Sequence, residues 1–186
     1  KPVLVNQSLP DTRVFRKWRK EGITQKSSAS SDEGVIIQPD NQQVIPQIYR
    51  EKVINGYDSY RIEIEAIDDL VKKTTLSIRG LDANSDIISY NEVTITWEDN
   101  WLWYSTNGTQ AGYEYVDEKT RKFWIDAPGI ENEHKLRFQI WPFGYDESIL
   151  NDNTNKIVVN KVKIQGIKNN KVYNLDERRN EQNTSQ

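Results

Sequence analysis

Strict alternation of apolar and polar residues constrains this chain more than any other feature. Tyr60, Ile62, Ile64 and Ala66 alternate with Arg61, Glu63 and Glu65. Val93, Ile95 and Trp97 alternate with Thr94 and Thr96, and Leu136, Phe138 and Ile140 with Arg137, Gln139 and Trp141. Val162 and Ile164 alternate with Lys161, Lys163 and Gln165. Successive side chains of a strand point to opposite faces, so each run reads as a half-buried strand. Thr74 to Ile78 adds a short strand with Leu76 and Ile78 inward. Shorter candidates are Val3 to Val5, Gly34 to Gln38, Gln47 to Ile54, Gly112 to Val116 and Lys122 to Asp126. Turn chemistry separates them at Asn55-Gly56, Asp82 to Asp86, Asn107-Gly108, Pro128-Gly129 and Asn151 to Asn155. No long stretch has a helical period, and a single helical turn is expected near Ile67 to Lys72, where Asp68 and Asp69 supply a start signal. Strands divided by loops, without an internal repeat, predict an all-β fold, an antiparallel β-sandwich.

With 186 residues the chain fits one domain and is long enough to bury a core without staples. The sandwich is expected over residues 1–170, with 171–186 as a polar tail or linker. Ser27 to Ser31 reads as a polar loop, because strand pattern resumes on both sides. The chain has no cysteine, which excludes disulfides, thiol nucleophiles and thiolate metal sites and leans toward an extracellular or cell-surface protein. The net charge is −3 with acids and bases interspersed, which argues against a nucleic-acid partner. The one basic cluster, Arg13 to Arg19, reads as a solvated loop or strand edge. No run approaches the roughly 20 apolar residues of a membrane span. A start at Lys1 without a signal-peptide pattern suggests a mature form or a piece of a larger protein with neighbouring domains.

Four pieces of the layout go together. They are an N-terminal strand followed by Trp18, the run Tyr60 to Ala66 before Thr75-Leu76-Ser77-Ile78-Arg79-Gly80, the strand Lys135 to Ile140, and a closing strand Ile157 to Ile164. Over residues 3–167 this order resembles the β-jelly-roll carbohydrate-binding modules, also called galactose-binding-like domains. The resemblance implies a jelly roll and a sugar ligand. The family's closing strand often carries an Asp, whereas this chain reads Val158-Val159-Asn160-Lys161-Val162, which weakens the implied structural calcium site.

The chain has six tryptophans, and their parity matters. Trp141 falls opposite Leu136, Phe138 and Ile140, beside Arg137 and Gln139. Trp124 falls opposite Phe123 and Ile125, and Tyr113 and Tyr115 share a face opposite Glu114. Trp101 and Trp103 share a face on the connection Trp97 to Tyr104. A pyranose stacks its apolar C–H face on an aromatic ring, while its hydroxyls need donors and acceptors such as Arg and Gln. Trp101, Trp103, Tyr113, Tyr115, Trp124, Arg137, Gln139, Trp141 and Arg61 are therefore the candidate ligand-binding residues. For each ring the competing reading is packing under a loop. Trp97 and Trp18 read as core or as a cap on it.

Signals for chemistry are sparse. Asp82 to Asp86 spaces its oxygens like the start of an EF-hand loop, but Ile87 and Val93 occupy the positions that need Gly and Glu. A looser calcium site there or at Asn151 to Asn155 competes with plain turn chemistry, and no other cofactor is expected. His134 is the only histidine, so no two-histidine site exists. The reading is a non-catalytic module that binds an oligosaccharide or polysaccharide. Its rivals are a structural or protein-interaction module and a small glycan-active enzyme with two converging carboxylates.

Overall fold

The computed structural model describes residues 14–27, 34–40, 44–67, 73–96, 101–105, 108–145 and 156–176, without the side chains of 25–27, 96 and 101–105. The expected strand at Val3 to Val5, the helical turn at 68–72, Trp97 and the 151–155 cluster lie outside the described residues. In chain order the strands are β1 (Arg19–Glu21), β2 (Ile23–Ser27), β3 (Val35–Pro39), β4 (Gln47–Lys52) and β5 (Ser59–Ile67). There follow β6 (Lys73–Leu81), β7 (Ile87–Thr96), β8 (Trp101–Ser105), β9 (Gln110–Tyr115) and β10 (Thr120–Pro128). The last three are β11 (Lys135–Trp141), β12 (Ile157–Lys168) and β13 (Lys171–Asn174).

They form two antiparallel sheets. One is six-stranded, in the order β1-β4-β11-β6-β7-β8, and the other seven-stranded, β2-β3-β12-β5-β10-β9 with β13 paired to β12. The alternating residues decide what lies between them. Ile48, Leu76, Ile78, Val93, Ile95, Leu136, Phe138 and Ile140 of the first sheet are buried with Val35, Ile37, Tyr60, Ile62, Ile64, Phe123, Ile125 and Ile164 of the second. The β-sandwich inferred from periodicity is the observed architecture.

Three differences have local causes. First, β7 begins at Ile87, six residues before the alternation that marks it. Its inward positions before Val93 are the buried polar residues Asn91 and Ser89, so no apolar alternation marks them, and a register shift between Gly80 and Leu81 interrupts the pairing only at its start. Second, the segment at 101–105, expected as a loop or rim, is an edge strand paired with β7. Third, the sandwich does not stop at residue 170. β13 pairs with β12, Leu175 is buried in the core, and the Leu175 amide donates to the Ile164 carbonyl at 2.8 Å. A polar strand on a sheet edge has no apolar run to announce it, so composition placed the boundary too early.

In the basic cluster the cations stay outside while the apolar residues anchor the chain. Arg16, Lys17, Arg19 and Lys20 are exposed, whereas Val14, Phe15 and Trp18 are buried, and Phe15 meets Trp18 edge-on at 5.6 Å. Trp18 thus belongs to the core, one of its two expected roles.

Two stability outcomes follow from this interior. Phe138→Ala opens a cavity between the sheets and should cost about 3–5 kcal/mol in urea unfolding, while exposed Lys163→Ala should stay within about 0.5 kcal/mol. Glu133 is buried beside Gly80, and burial raises its carboxyl above the usual range although the Ile130 amide donates to it at 3.3 Å. A raised carboxyl loses stability as pH climbs through its unfolded and then its folded value. Glu133→Gln keeps an acceptor and removes the charge, so it should raise the urea midpoint at pH 7 and lose that advantage near pH 4.

Candidate functional site

The outer face of the six-stranded sheet is built by register. One row across it runs Thr94, Thr75 and Trp141, the next Glu92, Ser77, Gln139 and Tyr49, and the third Tyr90, Arg79, Arg137 and Glu51. These are the positions between the core residues of β4, β11, β6 and β7, where a sandwich normally meets water. Several are nevertheless covered: Ser77 is 0% exposed, Gln139 3%, Trp141 7% and Glu92 8%.

An interlocked group does the covering. The Arg79 guanidinium lies 4.6 Å from the centroid of the Tyr90 ring and 5.2 Å from that of Trp141. Its Nη2 donates to Glu92 Oε1 at 3.0 Å. Tyr145, just beyond β11, places its ring 5.1 Å from that of Trp141, tilted by 57°. Its hydroxyl donates to Glu92 Oε2 at 2.9 Å. Both oxygens of Glu92 are thereby engaged. Burial, then the hydrogen bond to Glu92 and the charge of Glu92, raise the Tyr145 phenol above its ordinary range, so it stays a donor.

Beside this group three buried polar atoms have no hydrogen-bond partner: Ser77 Oγ, Gln139 Oε1 and Arg79 Nε. Ser77 and Gln139 face each other across the β6–β11 ladder. The other end of Gln139 is satisfied, since its Nε2 donates to Gln47 Oε1 at 2.5 Å. A buried polar atom left unmade costs about 1–3 kcal/mol, so such atoms call for an ordered water or a ligand group. Further along, Arg137 donates to Glu51 Oε2 from Nε at 2.8 Å and lies 5.2 Å from the centroid of Tyr49. Burial pushes the Glu51 carboxyl up, but the hydrogen bond and charge of Arg137, aided by Lys135, outweigh it and hold the group below its usual range.

The nine residues expected to bind ligand do not make one site. Trp141, Gln139 and Arg137 share the face just described. Trp124 and Arg61 share the outer face of the other sheet, on the far side of the core. There Arg61 lies 5.0 Å from the centroid of Trp124 and pairs with Asp126 through Nε at 2.6 Å and Nη2 at 2.8 Å. Lys122 pairs with Glu114 at 2.7 Å. Tyr113 and Tyr115 are a correction: the register sets them opposite Phe123 and Arg121, on the inward side of edge strand β9, although Tyr115, at the end of that edge, remains 47% exposed. They hold the fully buried Arg121, 4.8 and 4.6 Å from their centroids, and Tyr115 Oη accepts from Arg121 Nη2. Their outward placement failed because Gln110-Ala111-Gly112 carries no apolar run to fix parity. Trp101 and Trp103 stand opposite Ile95 and Val93 in the register of β8, and their side chains lie outside the described residues.

Sequence reasoning overlooked Arg79, Glu92, Tyr90 and Tyr145. Continuing the Val93–Ile95 alternation back along β7 puts Glu92 and Tyr90 on the face of Thr94, and the same parity on β6 puts Arg79 beside Ser77. Tyr145 carried no such signal, because it follows the strand. The Asp82 turn uses its oxygen locally, since Asp82 Oδ1 accepts the amides of Asn84 at 2.9 Å and Asp86 at 3.0 Å. Among the described residues no group of three or more His, Cys, Asp or Glu side chains is placed to hold a metal ion.

No protein-family profile matches the sequence, and no curated protein matches it. Solved structures do share the scaffold. The CBM22-2 xylan-binding domain of Paenibacillus barcinonensis Xyn10C superposes with a TM-score of 0.51 at 13% identity, over 84% of this chain and 95% of that one. For the CBM22-1 xylan-binding domain of the same enzyme the TM-score is 0.50 at 11% identity, over 83% and 88%. The enzymatically active domain of bacteriophage CBA120 tailspike protein 4 gives a TM-score of 0.48 at 8% identity over 85% of this chain, which spans 20% of that protein. At these identities the likeness is one of fold: this chain has the β-sandwich scaffold found in carbohydrate-binding modules.

Gly112 gives a test of the second face. A Cβ there would stand 2.3 Å from Cζ2 of Trp124, so the indole occupies the space that the missing side chain leaves. Gly112→Ala should push the half-buried indole outward at a cost of about 1 kcal/mol. Increased acrylamide quenching with unchanged far-ultraviolet circular dichroism is the expected readout.

Proposed function

We propose that the chain is a non-catalytic carbohydrate-binding module whose glycan site is the outer face of its six-stranded sheet. The observation that carries this reading is the set of unspent polar atoms, Ser77 Oγ, Gln139 Oε1 and Arg79 Nε, lying in the same neighbourhood as the Trp141 and Tyr90 rings. A sugar offers the complement of such a surface, a C–H face for a ring and hydroxyls that both donate and accept. The scaffold shared with two xylan-binding domains supports the same reading at the level of fold. Binding then involves stacking and hydrogen bonds with no covalent step. We place the module in a larger secreted, cell-surface or phage protein, where several weak sites gain through avidity.

The burial of Trp141 favours a second reading, a structural or protein-interaction module in which this face is packing. Calorimetric titration with soluble xylan and hydroxyethylcellulose separates the two. On the glycan reading the chain, or a variant in which this face is uncovered, binds at least one of them. Trp141→Ala, shown to be folded, should then lose at least about tenfold in affinity, or about 1.4 kcal/mol. Trp124→Ala, on the opposite face, should bind like the wild type. Equal losses in both variants would remove the six-stranded face as the site.

A further inference from the structure

We infer that Tyr145 occupies the sugar's own place and must leave for the glycan to bind, so the site is closed by an internal stand-in. This inference rests on the glycan reading and goes beyond it by naming the residue that controls access and the kind of sugar admitted. The chemistry of the Tyr145 contact matches that of a pyranose residue. An apolar ring packs on the Trp141 indole with its centroid 5.1 Å away and its plane tilted by 57°, and a hydroxyl donates to a carboxylate oxygen, Glu92 Oε2, at 2.9 Å. A sugar ring that took this position would put its C–H face on the same indole and a hydroxyl on the same oxygen. Tyr145 is placed for such an exchange. It lies beyond the end of β11, follows Gly144 with its left-handed backbone (φ +74°), and is 48% exposed while Trp141 and Glu92 beneath it are covered. Its departure would uncover the edge of the face on which Ser77 and Gln139 keep unspent atoms.

Charge selects the occupant. Arg79 is neutralised by Glu92 and Arg137 by Glu51, and the oxygen that Tyr145 vacates belongs to a carboxylate. An uncharged sugar hydroxyl donates to that oxygen as the phenol does, whereas an ionised uronate carboxylate has no proton to give it and finds the Arg79 and Arg137 guanidiniums already held by carboxylates. The ligand is therefore a neutral polysaccharide.

The binding-competent form is only a fraction of the population while Tyr145 is in place, and the apparent affinity falls by that fraction. Tyr145→Phe keeps the ring and removes the latch to Glu92, and Tyr145→Ala removes both. Affinity for soluble xylan and hydroxyethylcellulose, measured by calorimetry with polygalacturonate as the acidic comparison, should rise about 3–10-fold in Tyr145→Phe. It should rise in Tyr145→Ala as well, with polygalacturonate unbound throughout. Binding that appears only in the two variants supports the inference equally. Wild-type binding that is weakened or unchanged by Tyr145→Phe overturns it and leaves the glycan reading standing, because Tyr145 would then be a contact or a bystander. Binding of polygalacturonate overturns the neutral-sugar assignment. If neither wild type nor variants bind any of the three polymers, the glycan reading falls and the inference with it. Acrylamide quenching that rises in Tyr145→Ala, and not in Tyr145→Ala with Trp141→Phe, would then identify Tyr145 as a plain seal over Trp141.

Discussion

Burial of every second side chain between two sheets is the constraint on which the rest of the molecule depends. Ile62 and Ile64 of β5 meet the same interior as Leu76 and Ile78 of β6, and Phe123 of β10 the same as Phe138 of β11. Each such side chain contributes about 1.5–3 kcal/mol when withdrawn from water. A slip of one residue would turn a whole strand inside out, so the interior locks the register and thereby decides which residues face outward. Where parity has to change, the ladder breaks instead, between Gly80 and Leu81 and between Val159 and Lys161.

The two outer faces use their freedom differently. On the seven-stranded sheet, charges close on one another. Arg61 meets Asp126, Lys122 meets Glu114, and Trp124 fits the hollow over Gly112. The exposed Lys122–Glu114 pair contributes little, about 0–1 kcal/mol, and the half-buried Arg61–Asp126 pair engages both carboxylate oxygens, which leaves few groups to offer a ligand. On the six-stranded sheet, aromatic rings and a guanidinium cover the strands and bury polar atoms that are not all matched. Leaving polar atoms buried and unmatched destabilises the fold, and a binding surface is where such a cost has a use.

Glu92 shows how tertiary contacts turn a surface carboxylate into part of an assembly. Alone on a strand it would be a solvated charge. Between Arg79 and Tyr145 it becomes the point that ties β6, β7 and the segment after β11 together. Arg121 is the counterpart on the inward side, where two tyrosine rings receive a guanidinium that composition alone would put in water. In both places a planar cation is accommodated by aromatic faces as well as by charge.

Alternation along the chain specifies the strands of the interior and, wherever an apolar run marks parity, the side that faces out, because the period of two is a local property and needs no partner to be read. It placed Trp141 beside Gln139 and Arg137, and Trp124 with Arg61 on outward positions. It missed the start of β7, where the inward residues Ser89 and Asn91 are polar, and β13, where an edge strand carries no apolar run. Assembly of the two sheets is what puts Trp141 and Trp124 on opposite faces of the sandwich, Tyr113 and Tyr115 on the inward side of β9, and Tyr145 over Trp141. Those outcomes depend on strand order and on contacts between residues far apart in the chain, such as Gln47 and Gln139, 92 positions apart, and alternation along one strand carries no information about either.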